Sequence, residues 1–133
     1  MKSQLTLIDI AGAYDALISK LSLKEFNRNK LWIVGVPRGG LILAQFLAYY
    51  YGVPKERLLF GNGASILEQI PQNDQIIVCD DIYDSGKQHK HFETKREITF
   101  AVLYARFREN FPKDVEYGIS IEHDKYVYFP WDN

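Results

Sequence analysis

Cysteine is almost absent from this 133-residue chain. Cys79 is the only one, which rules out an intrachain disulfide framework and favours a reducing compartment. Set inside an apolar run, it reads as a small core residue. An excess of charge of one sign is missing as well. Sixteen Lys and Arg stand against seventeen Asp and Glu, a net charge of −1, so no global field draws the chain to nucleic acid or to an anionic membrane. No apolar run approaches the roughly 18 residues of a membrane-spanning helix, and no basic-then-apolar signal segment opens the sequence. The expectation is a cytoplasmic protein with neither nucleic acid nor membrane as partner. Internal repeats, low-complexity tracts and linker-like shifts in composition are lacking too, so residues 1–133 are expected to form one domain.

What is present is ordinary globular material, 47% hydrophobic and 25% charged, organised around one stretch. Gln75-Ile76-Ile77-Val78-Cys79 is continuously apolar after its first residue, as in a strand buried on both faces of a parallel sheet. Asp80 and Asp81 fall where that strand is expected to end, the edge at which open α/β sheets bind ligands. Asp84-Ser85-Gly86-Lys87 then forms a turn able to aim backbone N–H groups and a hydroxyl at an anion such as phosphate. A carboxylate pair beside a phosphate cradle suits a ligand carrying both hydroxyls and phosphate, a sugar phosphate.

The remaining elements follow from periodicity. Apolar residues from Leu7 to Leu23 recur at helical spacing and predict a first helix that covers the sheet. Leu31–Val36 is a buried strand running into Pro37-Arg38-Gly39-Gly40, with an apolar helix over Leu41–Tyr51. There two glycines allow close backbone approach, and Arg38 offers a planar fork for phosphate oxygens. Arg57–Phe60 is a strand, Ala64–Ile70 a short helix, and Lys87–Arg96 a polar, exposed helix. His89 and His91 in that helix stand at i, i+2, which does not share one helix face, so they predict no metal site. Ile98–Ala105 is the next strand, ending at Arg106; 107–114 is a turn or short helix; Val115–Ile121 is another strand; and Tyr126–Trp131 is an aromatic C-terminal segment. Strands alternating with crossovers predict a doubly wound α/β sheet, mostly parallel, with helices on both faces.

Three familiar sites fail on spacing. Asp81 stands where a P-loop needs its first glycine, and Gln88 where it needs Ser or Thr. A receiver-type acidic pocket needs an early pair of acids, whereas the first strand here ends in Val36-Pro37-Arg38. A haloacid-dehalogenase-like phosphatase needs Asp-x-Asp, whereas Asp81-Ile82-Tyr83 lacks the second acid.

Val78-Cys79-Asp80-Asp81-Ile82-Tyr83-Asp84-Ser85-Gly86-Lys87 instead resembles the phosphoribosyl pyrophosphate (PRPP) motif of type I phosphoribosyltransferases. Val34-Gly35-Val36-Pro37-Arg38-Gly39-Gly40-Leu41 is similar to that family's pyrophosphate loop. Tyr128-Phe129-Pro130-Trp131-Asp132 resembles the Pro-Trp-acid signature of its xanthine-guanine, or 6-oxopurine, branch. The resemblance runs from about Leu31 to Asp132 with the motifs in the expected order. It implies the type I phosphoribosyltransferase fold with a small C-terminal hood, and a purine-salvage enzyme that transfers the 5-phosphoribosyl group of PRPP to guanine, xanthine or hypoxanthine and releases pyrophosphate.

Residue by residue, it implies that Asp80 and Asp81 hold the ribose hydroxyls and Mg²⁺, directly or through water. Asp84, Ser85, Gly86, Lys87 and Gln88 wrap the 5′-phosphate, with Asp84 as the catalytic carboxylate. Arg38 and Gly39 take the pyrophosphate. Arg106 stands where the family has a lysine for the purine's exocyclic oxygen, Tyr126 stacks on the base, and Val127 meets its edge through backbone groups. A homo-oligomer, dimer or tetramer, is implied as well. The sequence departs from the family at three places. Gln88 replaces a common Thr, Arg106 replaces the lysine, and 61–74 is a short connection without Lys or Arg where the family has a longer mobile loop that closes over PRPP. That last departure keeps two alternatives open: a non-catalytic PRPP- or nucleotide-binding regulatory module, and a transferase for another acceptor.

Overall fold

The computed structural model describes residues 2–107 and 111–132. Its centre is a five-stranded, wholly parallel sheet in the order β3-β2-β4-β5-β6. Its strands are β2 (Leu31–Gly35), β3 (Leu58–Phe60), β4 (Gln75–Tyr83), β5 (Thr99–Arg106) and β6 (Val115–Ile121). Every residue of β5 is buried, as a central strand covered on both faces requires. The two faces are covered unequally. On one lie α1 (Leu7–Leu21) and α2 (Gly40–Tyr51), which bury Ala13, Leu17, Leu43 and Leu47 against Leu31, Ile33, Ile77 and Leu103. On the other, Leu67 from a 3₁₀ segment (Ala64–Gln69) and Ile70 just after it, together with Phe92, pack on Val34, Val78, Phe100 and Val102. No helix among the described residues is long and apolar enough to cross a membrane.

Two features lay outside the sequence reading. Thr6 caps α1 in a reciprocal box with Asp9, each side chain accepting from the other residue's backbone N–H. Residues Lys2–Gln4 form a strand, β1, that pairs in parallel with β7 (Tyr126–Tyr128) as a separate two-stranded hood.

The expected end of the central strand is corrected. β4 does not stop at the acidic pair but runs on to Tyr83, because β2 pairs with it only as far as Cys79 while β5 stays paired through Tyr83 and Ala105. The regular alternation of faces slips by one in the same place. Cys79 and Ile82, three apart, pack on the α1/α2 side, while Val78 and Tyr83, five apart, pack on the other. Adjacent Leu103 and Tyr104 on β5 likewise join one cluster. Asp80 and Asp81 therefore sit inside a strand, at an irregularity where one neighbour has already departed.

The polar helix over Lys87–Arg96 is also corrected. The helix, α3, is only Lys87–His91, and the segment after it is not simply exposed. Phe92 is buried, and Arg96 donates to the carbonyls of Leu67 (3.0 Å), Ile70 (2.8 Å), Pro71 (2.6 Å) and Asp74 (3.4 Å). The turn or short helix expected over 107–114 falls partly outside the described residues; at its far end Phe111 packs edge-on to Phe107, Tyr83 and Tyr117.

Arg96 thus ties the 61–74 connection to the body of the sheet. Arg96→Ala is expected to cost about 2–3 kcal/mol of unfolding free energy, because several carbonyls lose a charged donor at once, and to speed hydrogen exchange across 64–74. Denaturant unfolding and exchange mass spectrometry check this, and wild-type stability with unchanged exchange would refute it.

Candidate functional site

Two adjacent carboxylates, Asp80 and Asp81, lie within β4 just past the point where β2 leaves it. Asp80 is buried at 7% exposure, and its Oδ1 accepts the backbone N–H of Asp81 at 2.8 Å. Burial, reinforced by the Asp81 carboxylate next to it, holds the Asp80 carboxyl well above the usual carboxylate range. Asp81 is pushed the same way by burial, with the Trp131 indole N–H pulling against the shift. Such a pair is stabilised by a cation or by hydroxyl donors. No cluster of three or more His, Cys, Asp or Glu able to hold a metal forms among the described residues. The donor set is therefore two carboxylates, which suits Mg²⁺ completed by waters and ligand oxygens rather than a cage made by the protein alone. Cys79, directly before them, is fully buried and its thiol is pushed up by burial, so it is core and not a nucleophile.

The cradle follows at once. Gly86 takes φ +83°, and a Cβ there would stand 2.6 Å from the Tyr83 hydroxyl, so the turn into α3 requires glycine. Ser85 Oγ accepts the Lys87 backbone N–H at 3.3 Å. Ser85 and Lys87 are exposed, and Gln88 holds a buried amide oxygen with no hydrogen-bond partner among the described residues. Residues Asp80 to His89 and Phe100 together line one cleft of about 340 Å³. The acidic pair and the predicted phosphate turn are thus walls of a single space.

The upstream loop reaches the same place from the other side. The Pro37–Arg38 peptide is cis. A Cβ on Gly39 would lie 2.1 Å from the Asp81 carboxylate, and one on Gly40 would lie 2.1 Å from the Cys79 carbonyl. The glycines therefore let the loop press on β4 itself, a nearer partner than the ligand for which their small size was first read. Arg38 is exposed, and its Nη2 donates to the Trp131 carbonyl at 3.3 Å.

Arg106, expected at the base, lies at the end of β5. It is buried, its Nε donates to Asp84 Oδ1 at 2.9 Å, and its two Nη groups donate to the carbonyls of Glu122 and Lys125. Facing inward at the strand end, the guanidinium clamps the cradle to the segment before β7. A lysine would supply one point charge there, whereas this fork reaches three acceptors. Tyr126 is exposed at the start of β7 and Val127 packs partly on the core, so both belong to the clamped segment.

Sequence reasoning missed two connections. Trp131 Nε1 donates to Asp81 Oδ2 at 3.0 Å, and its ring stacks on Phe129 at 5.0 Å and 12°. The Pro-Trp-acid motif marked this residue but not its partner. His89, read as exposed, is half-buried instead. Its Nε2 meets Asp114 at 2.9 Å, and its ring contacts Phe100 and Tyr83, tying α3 to the entry of β6. Asp114, twenty-five residues along the chain, supplied no local signal for His89. A larger apolar groove of about 710 Å³ lies between α1 and α2, away from every acidic or phosphate-cradling group of this site.

The raised carboxyls set a pH dependence. A carboxyl whose folded pKa exceeds its unfolded value stabilises the fold most at low pH and loses that contribution as pH rises through the folded value. The ligand-free protein is expected to lose melting temperature as pH rises above the ordinary carboxylate value of 3.8 toward neutrality. Asp80→Asn is expected to flatten that slope and to stabilise the protein at neutral pH by about 1 kcal/mol or more. Thermal scans of both proteins across pH decide it, and parallel curves would exclude the assignment.

No protein-family model matches the chain. Among solved structures it is similar to a purine phosphoribosyltransferase from Pyrococcus horikoshii, with 22% identity, a TM-score of 0.67 and 99% of this chain covering 94% of that one. It is similar to the xanthine-guanine-hypoxanthine phosphoribosyltransferase of Helicobacter pylori, with 15% identity, a TM-score of 0.71 and the same coverage. A hypothetical protein from Neisseria gonorrhoeae with bound ppGpp matches at 20% identity and a TM-score of 0.69, over all of this chain and 90% of that one. Nearly end to end, with its parallel sheet and small hood, the chain has the type I phosphoribosyltransferase fold.

Proposed function

We propose that this protein is a Mg²⁺-dependent phosphoribosyltransferase that joins the 5-phosphoribosyl group of PRPP to a 6-oxopurine, guanine, xanthine or hypoxanthine, and releases pyrophosphate. The observation that carries this reading is the pair of buried Asp80 and half-buried Asp81 opening into the same cleft as the turn Asp84–Gln88. The C1–oxygen bond to pyrophosphate breaks, a C1–nitrogen bond to the purine forms, and the proton of that nitrogen leaves to solvent. Positive charge grows on the sugar ring and negative charge on the leaving group. Asp80 and Asp81 anchor the ribose hydroxyls and Mg²⁺, which offsets charge on the pyrophosphate when bound. Arg38 and the Gly39 backbone receive the pyrophosphate, Ser85 to Gln88 hold the 5′-phosphate, and Asp84 offsets the charge on the ring. Tyr126 and Val127 position the base, so that much of the rate comes from orientation.

A second reading, a non-catalytic nucleotide-binding module, is favoured by two observations. The 61–74 connection, which would have to close over the ligand, is short, free of Lys and Arg, and stapled by Arg96. One similar structure carries ppGpp. The assay that separates the readings supplies PRPP and Mg²⁺ with each of guanine, xanthine, hypoxanthine and adenine and follows pyrophosphate. Release with a 6-oxopurine and not with adenine is expected. Tight binding of PRPP or ppGpp without product from any base would establish the second reading. Asp81→Asn should lower PRPP affinity or turnover at least tenfold, the scale of one lost charge-assisted contact, whereas exposed His91→Ala should change neither.

The protein also works as a homo-oligomer in this reading. Helix α2, GLILAQFLAYYY, carries no charged residue, yet Ile42, Phe46 and Tyr49 are exposed on it. A helix apolar on all sides is normally covered on all sides. Asp15 and Lys55 line the groove beside it, so a two-fold partner presents Lys55 to Asp15 and Asp15 to Lys55. Phe46→Glu with Tyr49→Glu is expected to convert a dimer to monomers in analytical ultracentrifugation. A wild-type monomer at micromolar concentration would count against this interface.

A further inference from the structure

The two groups assigned to the metal-bound ribose and to pyrophosphate are held by one and the same residue. Trp131 donates its indole N–H to Asp81 Oδ2 and accepts Arg38 Nη2 at its backbone carbonyl, at 3.0 and 3.3 Å. Gly39 lies against the same carboxylate from the loop side, leaving no room there even for a Cβ. Trp131 is fixed in its turn. Its ring stacks on buried Phe129, whose backbone N–H donates to Asp132 Oδ2 at 2.9 Å while its carbonyl accepts the Asp132 N–H at 3.0 Å. The other end of the same stretch is tied down through Arg106, which bonds Asp84 and the carbonyls of Glu122 and Lys125.

Segment 122–132, which carries Tyr126 and Val127, is therefore stapled to the acidic socket at both ends. One staple runs to Asp84, the other to Asp81. With one carboxylate oxygen of Asp81 taken by the indole, the carboxylate cannot rotate freely, and its second oxygen is presented in one orientation. A hydrogen bond to a carboxylate in so enclosed a place is strong enough to decide orientation.

We infer that Trp131 is a positioning residue. Through its indole N–H and its carbonyl it sets Asp81 and Arg38 for PRPP, so that occupancy of the socket and order in segment 122–132 are coupled. This rests on the PRPP reading above and adds a residue and a linkage to it. The coupling is reciprocal: a purine that orders Tyr126 and Val127 also steadies Trp131 and raises PRPP affinity, and PRPP does the same for the purine.

Trp131→Phe tests it, because phenylalanine keeps the stack on Phe129 and deletes only the donor. Titration calorimetry with Mg²⁺ and PRPP is expected to give about tenfold weaker binding, with loss of the affinity gain that wild type shows when guanine is present. Phe129→Leu, which loosens the same segment without touching Asp81, serves as the packing control and should weaken PRPP binding by less than threefold. Hydrogen exchange over 125–132 should fall when PRPP binds wild type and stay unchanged when it binds Trp131→Phe. Equal PRPP affinity in wild type and Trp131→Phe, or equal losses in the two variants, overturns the positioning role while leaving the PRPP site standing. Failure of wild type to bind PRPP at all overturns the site itself, and this role with it.

Discussion

Everything around the cleft answers one constraint: two neighbouring carboxylates are placed inside a strand, in a region mostly closed to water. An isolated buried carboxylate is among the most expensive groups a fold can hold, and Asp80 and Asp81 are adjacent. The protein supplies partial relief from within, a backbone N–H for Asp80 and an indole N–H for Asp81. Among the described residues no cationic side chain bonds to either carboxylate. In the reading proposed above, a ligand bringing hydroxyls and a divalent ion would complete what these residues leave unfinished. Asp84, by contrast, already has its arginine and is more exposed. Three carboxylates within five residues thus stand in two electrostatic conditions, one pair needing a partner and one acid already supplied.

The surrounding architecture keeps that arrangement stiff. Burial on both faces of β4 and β5 fixes the strand ends from which Asp80, Asp81 and Arg106 project. The glycine loop after β2 lies on the exit of β4 at a separation that admits no side chain, so the loop and the acids cannot be displaced independently. The cradle is braced from below by His89 on Asp114 and by a group of aromatic rings around Phe100 and Tyr83. Among the described residues little near the site resembles a lid. The connection that might have served as one is packed down through Leu67 and Ile70 and held by Arg96.

Most of the sheet was legible because parallel strands buried on both faces write themselves as short apolar runs, and β2, the first half of β4, and β5 do so. The Asp80–Lys87 stretch was legible as a unit because its chemistry is contiguous. Less could be read where partners are distant in sequence. That Trp131 binds Asp81, fifty residues away, or that Arg106 turns inward to Asp84, follows from how strands end in space and not from local pattern. The two extra residues of β4 after the acidic pair were hidden for the same reason, since only the pairing with β5 sustains them. Strand β1 was invisible because three polar residues carry no periodicity, and its stability comes from β7. Arg96 looked like one more surface cation in a basic stretch, although its fork gathers four carbonyls.

The pairing of β1 with β7 also bears on the order in which the molecule assembles. Gln4 meets Tyr128 across 124 positions of sequence, so this contact closes the largest loop available and belongs among the late events of folding. On a ribosome the five-stranded sheet can gather its strands before residues 126–131 emerge, while β1 waits for its mate. The indole that bonds Asp81 lies three residues beyond β7, so the acidic pocket is expected to mature only once β1 and β7 have paired. Newly made chains would pass through a compact stage in which the sheet is built and the ligand-ready carboxylate is not yet aimed.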